Sequence, residues 1–217
     1  MITIAQVHHL EEVYQYQLRF STPYFFPTDY QILEKSFLRD VDGEGRTLFK
    51  ELSVKGAYDD GQLVGFVQYG KTAFGFDENG EISSDISYCI IRNLYFGRED
   101  AGQLLLKEAL DAFSPSEKVY AFFHYFGMSC FARHGKLFEH HAHIEALLKK
   151  NGFEIEHENV YYSSVLGGVE MSEVEILPRH SPRAISSTWI SSFPAATWVA
   201  MRSILLTARR PICGGSM

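Results

Sequence analysis

Two runs that read as strands, 53–58 and 63–69, stand on either side of Asp59-Asp60-Gly61. Aspartate followed by glycine supplies the positive-φ positions of a tight hairpin, so this stretch commits the chain to antiparallel sheet. A second turn signal, Asp77-Glu78-Asn79-Gly80, leads to a third run, 86–96, rich in Ile, Tyr and Phe. The period then changes. Across 101–113 the residues Leu105, Ala109, Ala112 and Phe113 fall on one helical face, and Pro115 ends it.

The rest of the chain brackets this centre. Residues 2–7 alternate as a short strand, and helical stretches follow at 9–20 and 28–38, separated by Pro23 and Pro27. A charged, glycine-rich loop, DVDGEGR, precedes the hairpin. After the central helix come a compact apolar strand at 119–125 and a helix marked by Ile144, Leu147 and Leu148. Gly152 stops that helix, and strands are expected at 153–156 and 160–166. The order is β-α-α-β-β-β-α-β-α-β-β. It predicts an α/β fold with a mixed, mostly antiparallel sheet flanked by helices on both faces.

Composition divides the chain at Leu177. Of the 20 Lys and Arg residues only five, all arginine, lie beyond it, so residues 1–177 carry 27 acidic and 15 basic side chains, a net −12. Residues 178–217 contain no Asp, Glu or Lys, but hold both tryptophans and four of the seven prolines. Neither helical nor strand periodicity persists there. Such an Arg/Ser/Pro-rich text resembles out-of-frame translation; a genuine basic tail with an interface role is the alternative. The expected organisation is one domain at 1–168, a linker at 169–177 and an atypical tail at 178–217 that is not a folded domain.

Charge and cysteine usage exclude several classes. A net charge of −7 argues against a nucleic-acid partner, because phosphate neutralisation needs a basic surface. Cys89, Cys130 and Cys213 lie far apart, which is neither a disulfide framework nor a zinc spacing and fits a reducing, cytoplasmic setting. The first residues lack the basic start and apolar core of a signal peptide. The apolar run 189–206 contains Pro194, Arg202 and several hydroxyls, so no membrane span is expected.

The element order, together with LVGFVQYG, YCIIRNLYF, GQLLLKEAL and LLKKNGFEIEHENVYYS, resembles the GNAT superfamily of N-acetyltransferases over residues 1–168. Its most specific piece is the junction Lys150-Asn151-Gly152-Phe153, where a helix runs through Gly-Phe into a strand. The resemblance implies an acyl-CoA N-acyltransferase-like fold, with acetyl-CoA as cosubstrate and a small-molecule or peptide amine as acceptor. It places the cofactor where two parallel strands splay apart, here 86–96 and 119–125. The backbone at Asn93, Leu94, Tyr95 and Phe96 would hold the pantetheine arm. Arg98, Gly102 and Gln103 would lie near the pyrophosphate, at a helix start where free amides favour anions.

The chain departs from the family pattern in two places. The loop Gly97-Arg98-Glu99-Asp100-Ala101-Gly102-Gln103 is about four residues short, and Asp100 stands where the first of two family glycines belongs. Asp100 and Gln103 are also spaced as a capping box, which would satisfy the helix amides internally. The family's frequent proton-donating tyrosine falls on Leu148, which has no hydroxyl. His124, Tyr125 and Cys130, after the second splayed strand, are the replacement acid–base candidates.

Two rival constellations share this region. Glu139, His140 and His143 have helical spacing for a metal, and Cys130 with His134 for a thiolate pair. Neither carries a complete signature, and no metal is assigned. The first functional reading is transfer of an acetyl group from acetyl-CoA to a primary amine. The second is a degenerate, non-catalytic domain that packs on and supports a second GNAT-like domain.

Overall fold

The structure is a computed structural model, and it describes residues 1–20, 29–38, 40–41, 44–127, 137–138, 141–164 and 198–209. In chain order the elements are β1 (Thr3–Gln6), α1 (Leu10–Leu18), α2 (Tyr30–Leu38), β2 (Phe49–Asp59) and β3 (Gln62–Thr72). A small hairpin follows, β4 (Gly75–Phe76) with β5 (Ile82–Ser83), across the 77–80 turn. Then come β6 (Cys89–Phe96), α3 (Glu99–Asp111), β7 (Lys118–Ala121), a 3-10 turn (His124–Phe126) and β8 (Leu137–Phe138). The series ends with α4 (Ala142–Lys150), β9 (Glu154–Ser164) and β10 (Trp198–Arg209).

The predicted hairpin is the spine of the sheet. β2 and β3 pair antiparallel, and Asp60 and Gly61 both take positive φ, 49° and 79°, as a tight turn of this kind demands. Both strands outrun their sequence signal because pairing with neighbours extends them. The sheet order is β1-β2-β3-β6-β7-β10-β8, and β9 also pairs with β10. Only β6 and β7 run parallel on this path. The result is a mixed α/β fold with a largely antiparallel sheet flanked by helices.

Alternation along β3 and β6 divides the core into two faces. Phe66 and Tyr95, opposite each other, meet Tyr16 of α1, Phe37 of α2 and the ring of Phe20. Gly65 and Phe96, the next pair, face α3 instead. A Cβ on Gly65 would approach the Leu105 side chain to 2.9 Å, and one on Gly102 would meet the Phe96 ring at 2.7 Å. The glycine in α3 is therefore a packing requirement: it lets the helix lie directly on the aromatic ring.

Two strand expectations change. The run expected at 119–125 pairs only through Ala121, because Phe122 turns into positive φ (60°) and the chain enters the 3-10 turn. The two strands expected at 153–156 and 160–166 are one, β9, which pairs with β10. Within the compositionally distinct tail, residues 206–209 of β10 pair antiparallel with β7, and Leu206 and Ala208 are buried. The chain divides into two compact units, residues 1–159 with 203–217, and residues 160–202. The second unit is described only at its ends, in β9 and β10.

Candidate functional site

The feature that makes a site is a fork between β6 and β7. Three rungs hold them together, Cys89↔Val119, Ile90↔Tyr120 and Ile91↔Ala121, and a last bond runs from the Phe122 N–H to the Ile91 carbonyl at 3.0 Å. Beyond it, β6 continues to Phe96 with β3 alone. Arg92 is the extra residue of a bulge there, since Tyr69 pairs with Ile91 and Gln68 already with Asn93. Its side chain is 1% exposed and forms an ion pair with the equally buried Asp40. It also donates to the carbonyls of Phe126 (2.9 Å) and Gly127 (3.0 Å) and lies over the Phe49 ring. A buried guanidinium is tolerable only with such complete pairing. The effect is to fix the chain after β7 on the Arg92 side chain, at the start of the fork.

The open edge of β6 has a defined polarity. The Gly97 N–H bonds the Val64 carbonyl (3.4 Å), and antiparallel alternation then turns the backbone groups of Tyr95 toward β3. Those of Leu94 and Phe96 turn outward. The outward Phe96 carbonyl is met by Nε2 of His143 at 3.2 Å; a carbonyl only accepts, so Nε2 carries the hydrogen. The His143 ring also stands edge-on to the Phe96 ring, with centroids 5.0 Å apart. Beside this edge lies a cavity of about 280 Å³. Phe96, Ala146 and Leu147 line it together with His143, and Glu99 and Lys150 stand at its rim, joined at 2.7 Å.

The helix carrying His143 is fixed by its end. Gly152 takes φ 83°, its N–H bonds the Lys149 carbonyl, and the Phe153 N–H reaches back to Leu148 at 3.1 Å. This is the double bond pattern of a Schellman cap, completed by the buried pair Phe153 and Leu148. The position expected to hold a hydroxyl is thus the apolar partner of the cap.

At the start of α3 the polar groups pair with one another. Arg98 donates to both carboxylate oxygens of Asp100 (3.1 and 2.6 Å) and to Asp59 at the hairpin tip (2.5 Å). Those bonds hold the carboxyls of both aspartates below their usual range, with the N-terminal ammonium the larger influence on Asp59. Arg98 lines a different cavity, of about 630 Å³, with Glu12, Tyr16 and Arg19 on the α1 side. The expected capping box does not form. Asp100 accepts from the adjacent Ala101 N–H, and Gln103 exchanges two hydrogen bonds with Asn151 (2.9 and 3.1 Å), joining α3 to α4. The site residues carried over from the sequence therefore divide: Leu94 and Phe96 present backbone to the fork, while Arg98, Gly102 and Gln103 are engaged with Asp59 and Asp100, Phe96 and Asn151.

The catalytic candidates divide as well. His124 and Tyr125 lie on the 3-10 turn, and Tyr125 packs its ring on Phe76 (4.8 Å) and Phe74, toward the small hairpin. Cys130, His134, Glu139 and His140 lie outside the described residues, as does Cys213. Among the described residues no group of three His, Cys, Asp or Glu side chains is placed to hold a metal. Two histidines of the α4 start border the fork: His143, which the sequence offered only as a metal ligand, and His141, which sequence reasoning passed over. Besides His143, His141 at the α4 N-cap donates Nε2–H to the Phe20 carbonyl (3.0 Å) and stands edge-on to Tyr95. Burial pushes the Tyr95 hydroxyl up to about 12, with the Gln17 amide acting the other way. The available signal was their distance from Gly152, which sets α4's first turn beside the end of β6.

Among the described residues, no helix is long and apolar enough to cross a membrane. No protein-family model matches the chain, and no curated protein sequence matches it. Solved structures do. The ribosomal-protein-S18-alanine N-acetyltransferase from Escherichia coli is 11% identical, with 100% of this chain and 99% of that one covered and a TM-score of 0.49. A putative phosphinothricin N-acetyltransferase is 14% identical, covering 97% and 99%, with a TM-score of 0.48. The PaiA N-acetyltransferase from Thermoplasma acidophilum, solved with coenzyme A, is 12% identical, covering 96% and 99%, with a TM-score of 0.44.

Proposed function

We propose that this chain is an N-acetyltransferase that moves an acetyl group from a coenzyme A thioester to an amine, in the fork between β6 and β7. The observation that carries this reading is the outward-facing backbone of Leu94 and Phe96 beyond the last β6–β7 rung. Such an edge pairs with the amides of an extended arm as it would with another strand. In the reaction the amine nitrogen bonds to the thioester carbonyl carbon, the carbon–sulfur bond breaks, and the thiolate takes a proton while the new amide loses one. His143 is assigned the proton-accepting role: with Nε2–H on the Phe96 carbonyl, Nδ1 is its acceptor atom. His124, on the β7 side of the fork, is the alternative.

The fit of acetyl-CoA differs along its length. The β6 edge suits the amide-bearing arm. The start of α3 does not suit the diphosphate, because Arg98 is engaged by two carboxylates and Lys150 by a third. That mismatch favours the second reading, a domain of this fold without catalysis that supports another domain. Thiol release from acetyl-CoA, followed with a panel of primary amines, separates the two. Amine-dependent release that falls at least tenfold in His143→Ala supports acetyl transfer. Release that no amine stimulates supports the second reading.

A further inference from the structure

We infer that the acyl donor is recognised through its pantetheine arm and not through its diphosphate, so that a thioester of pantetheine without the nucleotide serves this site about as well as acetyl-CoA. This rests on the acetyl-transfer reading and concerns which part of the donor the chain holds.

Three independent observations point this way. The first is size. The cavity beside the β6 edge is about 280 Å³, at the small end of ligand pockets, which run from roughly 300 to 1,000 Å³. Its floor is apolar, from Phe96, Ala146 and Leu147, as suits an alkyl-amide arm. The second is charge. The rim and the first turn of α3 carry Glu99 and Asp100, where an anion-binding helix start would leave its amides and cations for the ligand. Asp100 instead occupies the Ala101 amide and grips Arg98, and Asp59 holds the other arm of the guanidinium.

The third is direction and steric space. Arg98 borders the separate cavity on the α1 side and is absent from the lining of the cavity beside β6. The Gly102 N–H, which a phosphate would need, is already bonded to the Arg98 carbonyl at 3.0 Å. Gln103 is turned to Asn151. The Ala101 and Gly102 amides of this helix start are thus taken, and Glu99 and Asp100 repel a diphosphate.

The test compares S-acetylpantetheine with acetyl-CoA by calorimetric titration of the full chain, at low ionic strength where charge effects are largest. The two dissociation constants should agree within about threefold. A real diphosphate site would favour acetyl-CoA by at least about tenfold, the worth of one charge-assisted hydrogen bond. That preference would overturn this inference and leave the acetyl-transfer reading standing. If neither compound binds, both fall. The doubly substituted variant Asp59→Asn, Asp100→Asn releases Arg98 at exposed positions. It should shift the ratio toward acetyl-CoA, and an unchanged ratio would remove the electrostatic explanation.

Discussion

Arg92 and Asp40 form an ion pair with side chains 1% and 3% exposed, at the point where β6 loses contact with β7. The guanidinium also donates to two carbonyls, those of Phe126 and Gly127. The pair thus sits at the bulge where the fork begins. Asp40→Asn should leave a buried, uncompensated cation and cost about 3–5 kcal/mol, whereas removing both charges in Arg92→Met with Asp40→Leu should recover part of it. Urea denaturation of the single and double variants measures this. Equal losses in all of them would mean that the pairing is incidental.

Gly102 and Phe96 are matched in the same way. Gly102→Ala places a methyl group against the aromatic ring and should destabilise by about 1–3 kcal/mol despite alanine's better helix propensity. Phe96→Leu in the alanine background should return some of that stability. Thermal unfolding of the three variants checks it; a Gly102→Ala protein as stable as the parent would contradict the close packing.

Gly152→Ala should cost about 1–2 kcal/mol, since φ of 83° is open to glycine and strained for alanine. Gly152→Asn should cost less, because asparagine tolerates that region. The same denaturation series orders the three residues.

A pH dependence follows from Glu117, in the turn before β7, and Lys71 of β3, joined at 2.8 Å. The hydrogen bond from Lys71 chiefly holds the Glu117 carboxyl below its ordinary 4.5, helped by the Ser114 amide. A carboxylate depressed on folding stabilises the protein above its unfolded value and loses that contribution as pH falls through the folded one. The pair is about one-third exposed, so at most about 1 kcal/mol should disappear on acidification below 4.5. Glu117→Gln should flatten that part of the stability–pH curve; an unaltered curve would show that the bridge contributes nothing.

Much of the fold was legible because its signals are local. Asp59-Asp60-Gly61 announces the hairpin, and Gly152-Phe153 announces the α4 cap, each through backbone conformations that few residues adopt. The site was less legible because its features depend on distant pairings. Nothing near Arg98 in sequence shows that Asp59, on the β2–β3 hairpin, will grip it. The partner of Gln103 is Asn151, 48 positions away, and spacing alone favoured the capping box. β10 lies in a text without strand periodicity, and its place beside β7 is a tertiary fact.

Amide chemical-shift mapping of isotopically labelled protein titrated with S-acetylpantetheine tests the fork most directly. Saturable shifts should centre on the amides of Leu94 and Phe96 and on the ring of His143, with β1 and the outer part of β2 unmoved. Saturable shifts elsewhere, or none at the end of β6, would contradict the assignment of the fork as the acyl-donor site.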